Sequence, residues 1–181
     1  MRVIAGRFRG TRLYSPPGME IRPTADRLRE AIFNIIGPRL PAIRVLDLFA
    51  GTGAMGIEAL SRGAVHAVFI DYNPRALQLI RKNITKVKAG DNATVISWDI
   101  ARDLQCLRGQ EAFDIVFIDP PYRRGLIHRT LVNLHSTRIA VDTVVIEHAA
   151  IESIENLPPG FELIDQRRYG KTLVSILNGV L

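Results

Sequence analysis

Residues 47–56 read Asp47-Leu48-Phe49-Ala50-Gly51-Thr52-Gly53-Ala54-Met55-Gly56 and stand between an apolar run and a helical pattern. Glycines in such a loop let the backbone approach a ligand closely, and the following helix offers free N–H groups in its first turn. A strand, a glycine-rich turn and a helix in this order are typical of a ligand-binding crossover in an α/β protein. The stretch therefore predicts the fold class and the edge of the sheet where a ligand binds.

Short apolar runs alternate with helical patterns from Ile43 onward, as expected for a doubly wound sheet. Several of these runs are apolar at consecutive positions, which indicates parallel strands covered on both faces. The predicted strands are residues 44–49, 67–71, 94–98, 115–119 and 143–147. The predicted helices between them are residues 54–62, 74–87, 101–107 and 125–136.

The end of the chain interrupts this alternation. Residues 161–168 and 172–177 are too close together for a helical crossover, so we expect them to pair antiparallel. This adds two strands to the five above. The sequence therefore predicts an α/β fold with a mostly parallel seven-stranded sheet and a C-terminal antiparallel hairpin.

The beginning of the chain has a different pattern. Residues 2–4 and 12–14 predict a small β-hairpin across Gly6 and Gly10. Thr24 is placed to cap a helix over residues 25–36. We interpret residues 1–42 as an extension appended to a main unit of residues 43–181.

The net charge of +6 is concentrated at the beginning of the chain, in residues 1–44. Residues 1–44 hold nine arginines and three acidic residues, whereas the rest of the chain holds fifteen basic and fifteen acidic residues. The planar guanidinium suits phosphate recognition, so a polyanion is the expected partner. The alternative is a solvated basic face with no partner.

Other features limit the class of protein. No apolar run approaches the ~20 residues that cross a bilayer, and Cys106 has no partner cysteine, so we expect a cytoplasmic protein. The histidines show no metal-ligand spacing, and we predict no metal site. Cys106 is interpreted as a small buried side chain, and the histidines as satisfied surface or core residues.

Two cofactors fit the glycine stretch, because Gly51, Gly53 and Gly56 also satisfy the dinucleotide pattern G-x-G-x-x-G. Asp47 favours S-adenosylmethionine, since a carboxylate there can meet the ammonium of a methionine moiety but would repel a pyrophosphate. The chain also lacks room for the substrate domain of a dehydrogenase. The phrase Asp-Leu-Phe-Ala-Gly-Thr-Gly resembles the cofactor loop of methyltransferases.

Two further carboxylates end predicted strands. Asp71 closes the second strand and can accept hydrogen bonds from both ribose hydroxyls. Asp99 follows the third strand, where such enzymes hold the adenine amino group, although it can also cap the next helix.

A fourth strand ends in Asp119-Pro120-Pro121-Tyr122. The Asp119 carboxylate and the Pro120 carbonyl can accept the two N–H bonds of an exocyclic amine, which aims its lone pair at a sulfonium methyl. Consecutive prolines stiffen the turn, and Tyr122 can stack on a base that has left its helix. We therefore predict direct displacement driven by alignment. An ordinary proline turn is the structural alternative.

The chain resembles the RsmD-type 16S ribosomal RNA guanine-N2 methyltransferases along its full length. The resemblance rests on residues 2–6 with Arg9-Gly10, Arg22-Pro23-Thr24, residues 26–34, 47–56, 58–64 and 119–122, and Arg168-Tyr169-Gly170. It implies a Rossmann-like class I fold, S-adenosylmethionine as cofactor, and methylation of a guanine N2 amine in small-subunit ribosomal RNA. The family commonly has Glu where this chain has Asp71.

From the motifs and the resemblance together we assign candidate roles. The catalytic residues are Asp119, Pro120, Pro121 and Tyr122. The cofactor-binding residues are Asp47, Phe49, Ala50, Gly51, Thr52, Gly53, Asp71, Tyr72, Asp99 and Ile100. The RNA-binding residues are Arg7, Arg9, Arg12, Arg22, Thr24 and Arg27. The expected partner is 16S ribosomal RNA or an assembling small subunit.

Three other functions remain open from the sequence. The same tetrapeptide serves DNA adenine-N6 or cytosine-N4 methylation, although no separate target-recognition domain is visible. Protein glutamine methylation leaves the arginine-rich beginning of the chain unexplained. A non-catalytic RNA-binding or assembly factor could retain this fold.

Overall fold

The structure is a computed structural model that describes residues 1–17, 23–37, 40–121, 125–152, 154 and 156–179, with the backbone alone for residues 23–25. Arg22 and Tyr122 lie outside the described residues, as does the side chain of Thr24. None of the helices described is long and apolar enough to cross a membrane.

A single sheet of seven strands forms the centre of the described part of the chain, in the order β3-β2-β1-β4-β5-β7-β6. The first five strands are parallel, and their sequences are nearly continuous apolar runs because helices or loops cover both faces. Their bounds are β1 Arg44–Leu48, β2 His66–Asp71, β3 Ala93–Ser97, β4 Phe113–Ile118 and β5 Val141–Ala149.

The last two strands confirm the predicted antiparallel hairpin. They are β6 Glu162–Tyr169 and β7 Thr172–Asn178, joined by a short turn at Gly170. β7 inserts between β5 and β6, and it pairs antiparallel with both. This arrangement leaves β6 at the edge of the sheet.

The helices are α1 Pro23–Ile36, α2 Ala54–Ser61, α3 Pro74–Lys86 and α4 Leu126–Thr137. One buried cluster joins α1, α2 and α3 to one face of the sheet. A second cluster joins α4 and residues 100–107 to the other face. Phe33 of α1 packs its ring 5.7 Å from the ring of Phe117, so α1 lies over β4.

The predicted helix over residues 101–107 is wrong. Only a 3-10 turn forms there, at Gln105–Leu107. Asp99 accepts a hydrogen bond from the Ala101 N–H, and Asp103 accepts one from the Gln105 N–H, each two residues ahead. Such local side-chain bonds compete with helical hydrogen bonding, which explains the short turn.

The beginning of the chain also differs from prediction. Residues 2–4 and 12–14 meet antiparallel but form one bridge, Arg2–Arg12, rather than two strands. α1 begins at Pro23, so Thr24 lies within its first turn rather than before it. We call residues 1–17 the N-terminal segment; it packs on α2, where a Cβ on Gly6 would meet the Ser61 carbonyl oxygen at 1.8 Å.

Candidate active site

Two loops leave the sheet side by side at the carboxyl ends of β1 and β4. The strands are parallel neighbours, and Leu48 of β1 is in register with Ile118 of β4. The glycine loop (residues 49–53) and the acidic turn (residues 119–121) therefore start from adjacent positions. This is the edge at which ligands of open α/β sheets bind.

The glycine loop is held in an unusual backbone conformation. Phe49, Gly51 and Gly53 have positive φ angles of 58°, 57° and 76°. A Cβ on Gly51 would meet only the Phe49 carbonyl oxygen, at 3.8 Å, so the space beside this backbone is open. The Gly53 N–H donates to the Ala50 carbonyl at 2.7 Å and closes the loop just before α2 begins. The loop thus leaves space for a ligand beside the backbone of Gly51.

Asp71, at the end of β2, fixes the loop from the side. One carboxylate oxygen accepts the Gly51 N–H at 2.9 Å, and the other accepts the Asn73 N–H at 2.8 Å. Each oxygen can still accept another hydrogen bond, so the geometry fits ribose hydroxyls. The neighbouring Tyr72 is exposed beside it.

Asp47 lies under the same loop and is almost completely buried. Its Oδ2 accepts the Gly56 N–H at 3.0 Å. Burial raises the pKa of Asp47 to about 7; the Gly56 hydrogen bond opposes this shift and the Asp71 carboxylate adds to it. A buried carboxylate of this kind fits a cationic group and disfavours a pyrophosphate.

Asp99 and Ile100 lie at the end of β3, on the same edge. The Asp99 Oδ1 accepts the Ala101 N–H at 3.0 Å in a local turn, and the helix that it was expected to cap does not form. Ile100 is buried, and its carbonyl accepts a hydrogen bond from Asn133 of α4 at 2.9 Å. The β3 end is therefore anchored to both the next turn and α4.

The expected carboxylate, that of Asp119, is at the first residue of the acidic turn. Asp119 is exposed, whereas Pro120 is buried behind it. The pKa of Asp119 is raised well above 3.8. The largest cause is desolvation by the surrounding protein, followed by repulsion from Glu147 and then from Asp47. Because Asp119 keeps contact with solvent, water moderates the first of these effects.

Glu147 is a member of this edge that sequence reasoning missed. It follows Ile146 of β5, which is in register with Ile118, so Glu147 stands beside Asp119 on the neighbouring strand. The available signal was an acidic residue at the end of an otherwise apolar run, as for Asp71 and Asp119. Asn133, which holds Ile100, gave no such signal because polar residues are common on helices.

The described arginines that precede β1 divide into two groups. Arg2, Arg7, Arg9, Arg12 and Arg27 are exposed. Arg29 is buried, and it pairs with Asp26 at 3.0 Å and with Glu58 at 3.8 Å. Among these described arginines the exposed group is the one available to a polyanion, and it includes four of the six residues assigned to RNA.

Comparison with known proteins places the chain among methyltransferases. The family model described as conserved hypothetical protein 95 matches residues 1–178. The ribosomal RNA small subunit methyltransferase D of Escherichia coli (strain K12) is 36% identical over 173 residues, which is 94% of this chain and 86% of that protein. YlbH of Bacillus subtilis is 35% identical over 179 residues, 97% of each chain.

The fold agrees with these relatives. The solved structure of yhhF from Escherichia coli superimposes with a TM-score of 0.86 at 33% identity, and the match covers 99% of this chain and 98% of that one. A magnesium protoporphyrin IX methyltransferase from Synechocystis, 15% identical with a TM-score of 0.66, shares the fold. The Rossmann-like class I fold is thereby confirmed.

Proposed function

The chain belongs to the RsmD-type family, described as conserved hypothetical protein 95, and on that premise we propose that it transfers a methyl group from S-adenosylmethionine to the N2 amine of a guanine in 16S ribosomal RNA. By family and fold the chain is an S-adenosylmethionine-dependent methyltransferase. Relatives named for ribosomal RNA of the small subunit support the coarser assignment to ribosomal RNA methylation. The choice of guanine N2 follows from the resemblance described above.

One observation carries the proposal: the glycine loop and the acidic turn emerge from adjacent, in-register parallel strands. A cofactor held by the first loop and an amine held by the second would be neighbours. Holding two reactants in one orientation removes most of the entropic barrier to a displacement reaction. Neither loop alone would support this function.

The cofactor is proposed to lie along the edge formed by β1, β2 and β3. Asp47 would face its ammonium, Asp71 its ribose and Asp99 its adenine amine, and the backbone of the glycine loop would line its middle. When bound, S-adenosylmethionine supplies an electrophilic methyl group. Phe49, Ala50, Gly51, Thr52, Gly53, Tyr72 and Ile100 complete the proposed binding surface.

The amine is proposed to bind at the acidic turn. The Asp119 carboxylate and the Pro120 carbonyl accept its two N–H bonds, which withdraws the lone pair from conjugation with the ring. Pro121 stiffens the turn, and Tyr122 is proposed to stack on the base. A carboxyl whose pKa is raised, as that of Asp119 is, can hold the proton that the amine releases.

The exposed arginines of residues 1–42 are proposed to hold the RNA backbone while residues 43–181 carry out the reaction. Arg7, Arg9, Arg12 and Arg27 are free of the buried ion pairs that engage Arg29. Arg22 and Thr24 belong to the same proposal. The substrate is proposed to be an assembling small subunit in the cytoplasm.

The experiment is methyl transfer to undermethylated small subunits with labelled S-adenosylmethionine, followed by mapping of the modified nucleotide. We expect label on one guanine N2. Replacement D119A should abolish transfer and preserve RNA binding. The matched control is D114N, since Asp114 lies at the opposite end of β4, where it accepts the Arg44 N–H.

Other outcomes would identify other functions. Label on adenine N6 or cytosine N4 of DNA would replace RNA methylation with DNA methylation. Normal RNA binding with no transfer by the wild-type protein would favour a non-catalytic assembly factor. Full activity of D119A would remove the proposed role of the acidic turn.

A further inference from the structure

The N-terminal segment is attached to both helices that begin at the cofactor edge. On α2, Glu58 accepts the N–H groups of Ile4 and Ala5 at 2.8 and 3.0 Å. Ser61 of the same helix accepts the Phe8 N–H through its hydroxyl and the Arg7 N–H through its carbonyl. The arginine-bearing part of the segment is therefore fixed to the helix that follows the glycine loop.

Asn83, through its side-chain amide, makes the described hydrogen bonds between the segment and α3. Its Oδ1 accepts the Tyr14 N–H at 2.7 Å. Its Nδ2 donates to the Tyr14 carbonyl at 3.0 Å and to the Thr52 carbonyl at 2.9 Å. Thr52 belongs to the glycine loop, so one side chain connects the N-terminal segment directly to the proposed cofactor site.

The Asn83 amide is completely buried, and its orientation is determined by its partners. Reversing the amide would place its oxygen against two carbonyl oxygens and its NH₂ against an N–H donor. A buried polar group that loses its partners is costly, so the three bonds hold together or fail together. The three hydrogen bonds of Asn83, which we call the junction, therefore fit only one arrangement of the N-terminal segment and the glycine loop.

Contacts around the junction reinforce it. The Lys86 ammonium, one turn along α3, lies 4.2 Å from the centre of the Tyr14 ring. The Thr52 hydroxyl also lies 3.5 Å from the Met1 sulfur. The segment is therefore connected to the glycine loop both directly, through Met1, and indirectly, through Asn83.

We propose that Asn83 is a positioning residue that couples the N-terminal segment to the glycine loop, so that RNA and S-adenosylmethionine bind cooperatively. The proposal rests on the proposed function. RNA bound at Arg7 and Arg9 favours the state in which the N-terminal segment is packed on α2 and α3. In that state Tyr14 is hydrogen-bonded to Asn83, and Asn83 is hydrogen-bonded to Thr52 of the glycine loop. By linkage, the cofactor increases RNA affinity by the same factor.

The test measures binding of S-adenosylhomocysteine by calorimetry, with and without saturating deproteinised 16S ribosomal RNA. For the wild-type protein we expect the RNA to increase the affinity at least about fivefold. N83L, which removes all three hydrogen bonds, should bring this factor close to one while both ligands still bind. It should raise the KM for S-adenosylmethionine more than it lowers kcat.

A second variant and a matched control separate coupling from stability. N83D keeps an acceptor for the Tyr14 N–H but sets an oxygen against the Thr52 and Tyr14 carbonyls, and it should also lose the coupling. Asn92 donates to the Val65 carbonyl at 2.8 Å near the amino ends of β2 and β3. N92L therefore removes an amide–carbonyl bond at the opposite edge and should keep the wild-type factor.

A factor of one in the wild-type protein, with both ligands bound, would overturn the coupling and leave the proposed function intact. Wild-type coupling in folded N83L or N83D would overturn the role of Asn83. Failure of the wild-type protein to bind either ligand would overturn the proposed function, and this inference with it.

Discussion

The carboxylate of Asp47 accepts the backbone N–H of Gly56 at 3.0 Å in the interior beneath the glycine loop. Gly56 lies in the first turn of α2, so a buried acidic group at the end of β1 contacts the amino end of the next helix. Because burial dominates, the pKa of Asp47 rises to about 7 in the free protein. The site thus contains a group that changes its charge near neutral pH.

We predict that cofactor binding depends on pH through Asp47. Its ionised form attracts the ammonium of S-adenosylhomocysteine, so affinity should rise as pH increases through about 7. D47N should bind more weakly and lose this dependence. Calorimetry between pH 6 and pH 8 in buffers of different ionisation enthalpy would detect the proton released on binding. An unchanged pH profile in D47N would assign the dependence to another group.

We predict that the Asp47 carboxyl affects folding stability in the opposite direction, so that its contribution to stability falls as pH rises. Since the folded pKa lies above 3.8, the contribution of Asp47 is fully present at low pH and is lost as pH rises through about 7. D47N should therefore gain stability relative to the wild type as pH rises from about 4 to about 7, by roughly 4 kcal/mol at most. Denaturant unfolding at each pH measures this. The control D91N, at an exposed turn, should show no such trend.

We predict that Glu147 sets the pH at which Asp119 ionises. Repulsion from Glu147 is second only to crowding among the causes that raise the pKa of Asp119. E147Q removes that negative charge, so any limb of the kcat/KM profile that reports Asp119 should move to lower pH. D142N, at the amino end of the same strand, should leave the profile in place. A profile that E147Q leaves unchanged would show that the charge of Glu147 does not influence the ionisation of Asp119.

The sequence predicted the strands and most helices because their patterns are local. Apolar runs, the glycine loop and the closing hairpin could each be identified within one short continuous stretch of sequence. It failed at residues 101–107, where two aspartates form local turns that an averaged helical pattern does not reveal. It also missed Glu147, because the neighbour of Asp119 depends on the order of strands and their register.

The role of Asn83 was not predicted from the sequence because the residue lies within a regular helical pattern. It lies on the buried face of α3 with Leu77, Ile80 and Ile84, where an apolar residue is expected. A polar residue at such a position was a signal that some other group must satisfy it. The identity of that group, a backbone 69 residues away at Tyr14, required the three-dimensional structure.

We predict that the exposed arginines of the N-terminal segment account for part of the salt dependence of RNA binding. Arg7 and Arg9 are both exposed, and each phosphate contact releases counterions. R7Q/R9Q should reduce the slope of log affinity against log salt by roughly 2. R167Q/R168Q on the edge strand β6 removes the same charge and should change the slope little. Equal slopes in wild type and R7Q/R9Q would exclude phosphate contacts there.

We predict that Gly56 is required for the packing beneath the glycine loop. A Cβ at this position would lie 2.3 Å from the Phe69 Cε1, and the Phe69 ring is fully buried. G56A should cost about 1–3 kcal/mol through overpacking, and it should weaken S-adenosylhomocysteine binding because the Gly56 N–H would move away from Asp47. G90A is the control, since a Cβ added at Gly90 would have no atom within 4 Å. Thermal unfolding should separate the two variants, and equal melting temperatures would contradict the prediction.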